Sequence, residues 1–133
     1  MLKKIILVVF CSAISFMSFS QTQFEINEEA QRNFKKSDKE LNRVYTQILS
    51  VYKNDKVVVA NLKKAQRLWV QFRDAEMNAK FPEREVGYYG SIFPMCWDLY
   101  LRELTEERIK KLNVWLIGLQ EGDACSGAVR MKE

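Results

Sequence analysis

The sequence predicts an all-α protein, a three- to four-helix antiparallel bundle. Apolar residues recur at helical spacing in three long blocks, whereas no segment alternates apolar and polar residues over the length of a strand. A short polar link joins the first two blocks, and a link of this length favours antiparallel neighbours. Residues 21–133, 113 in number, are enough for one domain with a modest core.

The first block lies between residues 22 and 52. Its apolar side chains include three that are seven residues apart, Phe34, Leu41 and Ile48. Lysine, glutamate and arginine side chains occupy the opposite face. We therefore expect an amphipathic helix that begins at Glu25 or Ile26 and ends before the polar, turn-prone Lys53–Asp55.

The second block runs from Lys56 to about Lys80, with apolar residues every three or four positions. Pro82 ends it, because the residue before a proline is pushed out of the helical region. The first two helices should therefore form an antiparallel hairpin. Residues 82–91 contain two glycines, two tyrosines and several charges, and we expect a loop there.

The third block begins near Ser91, which we interpret as an N-cap. Apolar residues continue to the segment Val114–Ile117. Gly118 and Gly122 should end the regular structure.

The N-terminus has the features of a secretory signal peptide. A short cationic start precedes the apolar stretch Ile5–Phe19, and the small residues Ser18 and Ser20 stand before Gln21. The apolar stretch is shorter than the roughly 20 residues of a spanning helix. Cys11 lies in the middle of this stretch, which disfavours a lipid anchor. We expect a signal peptide over residues 1–20, a domain over residues 21–133 that is periplasmic or secreted, and no membrane attachment after cleavage.

Charge and composition exclude several classes of function. The chain has 21 basic and 17 acidic residues. Loss of Lys3 and Lys4 with the signal peptide leaves 19 against 17, a net charge of +2. The two signs are interspersed, so no nucleic-acid partner is indicated. Histidine, the commonest general base and metal ligand, is absent. We expect a protein that is not an enzyme and holds no cofactor or metal.

Two cysteines remain after cleavage, and export favours a disulfide between Cys96 and Cys125. A straight helix from Cys96 to Leu119 would separate its ends by about 35 Å. The six residues that follow span at most roughly 20 Å. The bond therefore requires a bend, for which Asn113 is the best place, with the segment from Val114 folding back. The alternatives are two unpaired thiols or a bridge between molecules.

Five phrases occur in order along the chain: Thr22-Gln23-x-Glu25-x-Asn27, Asp38-x-x-Leu41-Asn42-x-x-Tyr45, Gln66-x-x-Trp69-x-x-Phe72-Arg73-Asp74-Ala75, Gly90-Ser91-x-x-Pro94-Met95 and Leu101-x-x-Leu104-Thr105-x-x-Arg108. Together they resemble the LprI-like domain family, which is named for a lysozyme inhibitor, over about residues 22–112. The resemblance implies an exported helical domain that binds another protein of the cell envelope, with a lysozyme as the named partner.

The chain departs from this family in its cysteines. Relatives often carry cysteines at the positions of Glu29, Met77 and Tyr100, and their common bridge would join position 77 to position 100. Both of those cysteines are absent here. On the resemblance, a bond between Cys96 and Cys125 takes the place of that bridge.

The loop and the start of the third helix provide the preferred contact surface, with Arg84, Tyr88, Tyr89 and Phe93 as binding residues. Loops on a rigid scaffold often carry function, and tyrosines supply binding area at a low entropy cost. Arg84 would enter a cleft that holds catalytic carboxylates. Alternatively, the two tyrosines only cap the end of the helical hairpin.

A second candidate is a polar pocket formed by Tyr45, Gln66, Arg73 and Arg108. In the simpler interpretation, neighbouring Trp69 belongs to the core and Arg73 bonds an acid or a helix end. The pocket would make the chain a small-ligand binding protein. A third possibility is a structural or assembly factor of the envelope with no enzyme target.

Overall fold

The computed structural model describes the backbone of residues 2–132 and the side chains of residues 22–132. It contains α1 (Leu2–Val51), α2 (Lys56–Lys80) and α3 (Phe93–Ile117), and no strand occurs within this part of the chain. The predicted all-α class is confirmed. The signal peptide predicted over residues 1–20 lies outside the described side chains and stays a prediction. Among the residues whose side chains are described, no helix is both long enough and apolar enough to cross a membrane.

Residues close in sequence explain where α1 ends and where α2 begins and ends. The α1 helix ends at Val51, and Asp55 caps α2 by accepting a hydrogen bond from the Val58 backbone N–H at 2.9 Å. The α2 helix ends at Lys80, as predicted, just before Phe81 and Pro82. The predicted start of α1 at Glu25 or Ile26 is wrong, because residues 22–24 are already helical.

The predicted N-cap of α3 is also wrong. The helix begins at Phe93, and its cap residue is Ile92, which makes no side-chain cap hydrogen bond. Pro94 lies in the first turn, where its missing N–H has no helical partner to lose. The carbonyl of Ser91 instead accepts a hydrogen bond from the Asn27 side chain at 3.1 Å, which joins this turn to α1.

Hydrogen bonds between elements establish the topology. Three of them join the α1 region to the α3 region at increasing positions in both: Asn27 to Ser91, Ser37 to Glu106 and Tyr52 to Trp115. Two join α2 to α3 in the opposite order: Gln66 to Arg108 and Glu76 to Tyr100. The bundle is therefore up-down-up, with α1 parallel to α3 and α2 antiparallel to both. The packing of α3 is far more extensive against α1 than against α2.

The main core lies between the C-terminal half of α1, the start of α2 and the end of α3. Its buried members are Leu41, Val44, Ile48, Leu62 and Leu112. Each buried aliphatic side chain of this size contributes about 1.5–3 kcal/mol to folding. Because this core lies near the α1–α2 link, the loop between α2 and α3 projects from the opposite end of the bundle.

The chain after α3 folds back instead of extending away. Gly118 ends the helix, and Leu119 makes two backbone hydrogen bonds with the returning strand-like segment, to Arg130 at 2.9 Å and to Lys132 at 2.8 Å. The Arg130 backbone N–H also donates to the Tyr52 hydroxyl at 3.0 Å, and its guanidinium donates to the Leu116 carbonyl. We call residues 118–132 the C-terminal tail.

The predicted disulfide does not form in this structure, and both thiols are free. The α3 helix continues through Asn113 to Ile117, and Trp115 and Leu116 beyond Asn113 pack against the main core. Cys96 therefore lies in the first turn of α3 and Cys125 beyond its other end. The reversal occurs only after Gly118, and it brings residues 130–132, not Cys125, back beside Leu119.

Candidate binding site

The loop between α2 and α3 is a series of hydrogen-bonded turns. The Tyr88 N–H donates to the Glu85 carbonyl at 3.1 Å, Gly90 to Gly87 at 3.0 Å, and Phe93 to Gly90 at 3.3 Å. Backbone groups that are bonded in this way hold the loop in one conformation.

Aromatic side chains support the loop from below. The rings of Tyr89 and Phe93 are stacked with their centroids 4.7 Å apart, and Phe93 lies 5.8 Å from Trp97. Phe81 contacts the rings of Tyr89, Phe93 and Trp97. The Tyr89 hydroxyl also donates to the Pro82 carbonyl at 2.7 Å. We call Phe81, Tyr89, Phe93 and Trp97 the aromatic base.

Two predicted binding residues, Tyr89 and Phe93, thus serve to hold the loop in place. Phe81 and Trp97 are not among the binding residues that the sequence predicts. Phe81 is the C-cap residue of α2, on the other side of the loop from Phe93, and no local pattern linked it to that residue. Trp97 lies four residues after Phe93 on α3, and this helical spacing is a signal that could have identified it.

Three side chains project from the loop, and we call Arg84, Val86 and Tyr88 the loop tip. Val86 is fully exposed, and Tyr88 is 61% exposed. The Arg84 guanidinium lies 5.8 Å from the centroid of the Tyr88 ring, a cation–π distance. Arg84 forms no salt bridge with any described residue. Arg84 and Tyr88 are predicted binding residues, whereas Val86 is not among them.

A groove of about 450 Å³ runs between the loop and the ends of α2 and α3, with Asn78, Phe81 and Trp97 among its lining residues. Exposed apolar area beside a concave surface is typical of sites that contact another molecule.

The second candidate site lies halfway along α2 and α3. The Arg108 Nε donates to the Gln66 side-chain carbonyl at 3.0 Å. The guanidinium carbons of Arg73 and Arg108 lie 5.4 Å and 5.8 Å from the Trp69 ring centroid. The structure therefore brings Gln66, Arg73 and Arg108 together around Trp69. Tyr45 does not join them: it packs against the main core and makes no hydrogen bond with the other three.

Electrostatics differ between the two arginines. Arg73 is paired with Asp74, the next residue, at 2.8 Å. Arg108 has an amide as its partner, and burial lowers the pKa of its guanidinium. Within residues 22–132, no three histidine, cysteine, aspartate or glutamate side chains are placed to hold a metal ion.

Three acidic side chains of α3 and of the loop lie in polar contacts or in solvent. Glu106 accepts from the Ser37 hydroxyl at 3.0 Å and lies 3.4 Å from Arg102, while Glu83 and Glu85 are exposed in the loop. Two-carboxylate chemistry needs both groups to face one substrate across a cleft. Glu83, Glu85 and Glu106 therefore show the solvent exposure and polar contacts of surface acids.

These features define an all-α domain that presents an aromatic-supported loop with a groove beside it, and two arginines around Trp69. The model of the family described as Lysozyme inhibitor LprI matches residues 17–112, and the chain belongs to that family. The match covers the loop tip, the aromatic base and the surroundings of Trp69, but not the C-terminal tail. Comparison with curated proteins finds no match, and neither does comparison with solved structures.

Proposed function

We propose that this protein is an exported inhibitor of a lysozyme-type muramidase, and that it blocks the enzyme with its loop tip. Membership of the LprI family supports the choice of target. The observation that carries the choice of site is the exposure of Arg84, Val86 and Tyr88 on a loop that is fixed from below.

The chemistry of the loop tip suits such a target. Lysozyme-type enzymes hold two carboxyl groups in a cleft. An arginine guanidinium can donate two parallel hydrogen bonds to a carboxylate, and Tyr88 and Val86 supply apolar contact area beside it. Glu83 and Glu85 flank Arg84, so the attraction depends on where the guanidinium points and not on the net charge of the loop.

The fixed conformation of the loop favours tight binding. Ordering a mobile loop costs free energy when a complex forms. Here the turns between Glu85 and Phe93 and the Tyr89 bond to Pro82 are present in the free protein. The signal peptide predicted over residues 1–20 would deliver the domain to the compartment in which muramidases act.

The test begins with the full chain, expressed with its own N-terminus and purified from the exported fraction. Its N-terminal sequence reports the cleavage site. The protein is then titrated against several lysozymes, with cell-wall lysis and direct binding followed together. We expect saturable inhibition with matching affinities. Arg84→Ala and Tyr88→Ala should each weaken inhibition about 30-fold, because central arginines and tyrosines of an interface contribute about 2 kcal/mol or more.

Arg67→Ala and Leu68→Ala are matched controls, because both side chains are exposed on α2 away from the loop. They should leave inhibition unchanged. If the wild-type protein inhibits and the Arg84→Ala/Tyr88→Ala double variant inhibits equally well, the choice of surface is wrong. If the wild-type protein binds no lysozyme, the target is wrong, and pull-downs from the envelope would test the assembly-factor alternative.

A further inference from the structure

The groove between α2 and α3 beside Trp69 combines an apolar floor with a cationic rim. It measures about 520 Å³; its floor consists of Trp69, Phe72 and Leu104, and its charged members are Arg108, Lys110, Lys111 and Glu107. Phe72 is 58% exposed, so a large apolar surface faces water here. With three cations and one acid, the groove carries a net charge of +2.

Arg108 lacks an anionic partner. A guanidinium has five N–H donors, and the only hydrogen bond that Arg108 makes within the described residues is to Gln66. No carboxylate lies within 4.0 Å of it in that part of the chain. A partly buried charge is costly unless an opposite charge compensates it. The cost is visible in the direction of the pKa of Arg108, which burial lowers.

The remaining cations of the groove are also available. Lys110 and Lys111 are exposed, and neither forms a salt bridge with a described residue. Arg73, by contrast, is neutralised by Asp74 and serves to cover Trp69. The positive potential is therefore concentrated at the Arg108 side of the groove, where it would attract an anion.

We propose that this groove binds an anionic amphiphile, whose carboxylate or phosphate head pairs with Arg108 while its apolar body covers Trp69, Phe72 and Leu104. A simple anion would leave Trp69 and Phe72 exposed to water. A neutral apolar ligand would leave Arg108 uncompensated. A molecule that combines both parts satisfies the charge and covers the apolar surface together.

This site is separate from the loop tip and does not rest on the inhibitor proposal. Trp69 precedes Phe81, at the base of the loop, by twelve residues. Twelve helical residues correspond to about 18 Å. The two sites can therefore be tested independently on the same protein.

The experiment is a calorimetric titration of the purified exported protein with dodecanoate and with dodecyl phosphate, both below the concentrations at which they form micelles. Acetate, inorganic phosphate and dodecyl maltoside are the comparison ligands. We expect saturable binding of about one dodecanoate per chain, as suits a pocket of this size. Acetate and inorganic phosphate, which lack the apolar body, and dodecyl maltoside, which lacks the charge, should bind at least about tenfold more weakly. The dodecanoate and dodecyl phosphate arms distinguish a carboxylate head from a phosphate head.

Charge variants provide the sharpest comparison. Arg108→Met should weaken dodecanoate binding about tenfold or more, because the charge-assisted hydrogen bonds are lost. Glu107→Gln should strengthen it, because a like charge is removed from the rim. Arg67→Met on the outer surface of α2 is the matched control and should have no effect. Because Arg108 packs against Trp69, circular dichroism would verify the fold of its variant.

If the Arg108→Met variant does not fold, variants at exposed residues of the groove test the proposal instead. Phe72→Ser removes part of the floor, and Lys110→Gln/Lys111→Gln removes rim charge; both should weaken binding. The proposal would be overturned if dodecanoate binding is not saturable, or if dodecyl maltoside binds as tightly as dodecanoate. It would also be overturned if these variants bind dodecanoate as tightly as the wild-type protein. Arg84→Ala should leave dodecanoate binding intact, so failure of the inhibitor proposal is distinguishable from failure of this one.

Discussion

Met77 and Tyr100 occupy the two positions that, by the family resemblance, would carry the cysteines of a disulfide between the second and third helices. Met77 is 2% exposed, and the Tyr100 hydroxyl donates to the Glu76 carboxylate at 2.9 Å. The Lys80 ammonium lies 3.4 Å from the centroid of the Tyr100 ring. Packing, a hydrogen bond and a cation–π contact thus join α2 to α3 at the site where a covalent bond is absent.

This contact predicts a pH dependence of stability. The hydrogen bond to Glu76, followed by burial and nearby carboxylates, raises the pKa of Tyr100 above its ordinary value of 10.0. A group whose pKa is raised by folding stabilises the protein below the unfolded pKa, and this contribution is lost as pH rises through the folded pKa. Tyr100→Phe should therefore lower the thermal midpoint at pH 7 and flatten its decline as the pH rises above 10.

Tyr88→Phe is the control for this prediction, because the Tyr88 side chain is exposed in the loop. Its thermal midpoint should follow the wild-type pH profile. Identical slopes for wild type and Tyr100→Phe above pH 10 would contradict the role of Tyr100.

At the scale of elements, the C-terminal tail depends on one residue. Gly118 has φ of +85°, and a Cβ atom there would lie 2.9 Å from the Arg130 carbonyl oxygen. Both the backbone angle and the close approach of the returning segment require glycine. The tail lies outside the region matched by the family model.

Gly118→Ala should destabilise the protein by about 1–3 kcal/mol and open the tail, because strain and a backbone clash act together. Denaturant unfolding gives the free energy, and limited trypsin digestion after Arg130 reports the opening. Gly122→Ala is the matched control: its φ is +86°, but nothing lies within 4 Å of the added Cβ. It should show strain without faster cleavage at Arg130. Equal cleavage rates in the two variants would argue against the closed tail.

For the whole molecule, stability should be independent of redox state. Cys96 and Cys125 are free; Cys96 lies in the first turn of α3, and Cys125 lies beyond the C-terminal end of that helix. We expect the exported protein to react with two equivalents of a thiol-alkylating reagent after unfolding without reductant, and its thermal midpoint to be unchanged by dithiothreitol. A bond would instead stabilise the protein by about 2–4 kcal/mol. A mass two daltons lower before reduction, with a fall in the midpoint after it, would contradict the structure.

The position of the loop could be predicted from the sequence, but the different roles of its side chains could not. Pro82 and the glycines predicted the loop between α2 and α3, and the structure has a loop there. The prediction was possible because proline and glycine restrict or free the backbone angles at their own positions. Tyr88 and Tyr89 are neighbours of the same type, and only the fold separates their roles. Tyr89 packs on Phe93 and bonds Pro82, whereas Tyr88 faces solvent beside Arg84.

The sequence by itself determined the helices and the start of α2, because apolar periodicity and the Asp55 cap act within a few residues of chain. The tertiary structure alone decided which distant residues meet. It placed Gln66 against Arg108, returned Arg130 to Tyr52, and left Cys96 and Cys125 unpaired. Such pairings depend on how whole helices pack and on where the chain reverses. Both depend on the free energy of the entire bundle, so a local sequence pattern cannot predict them.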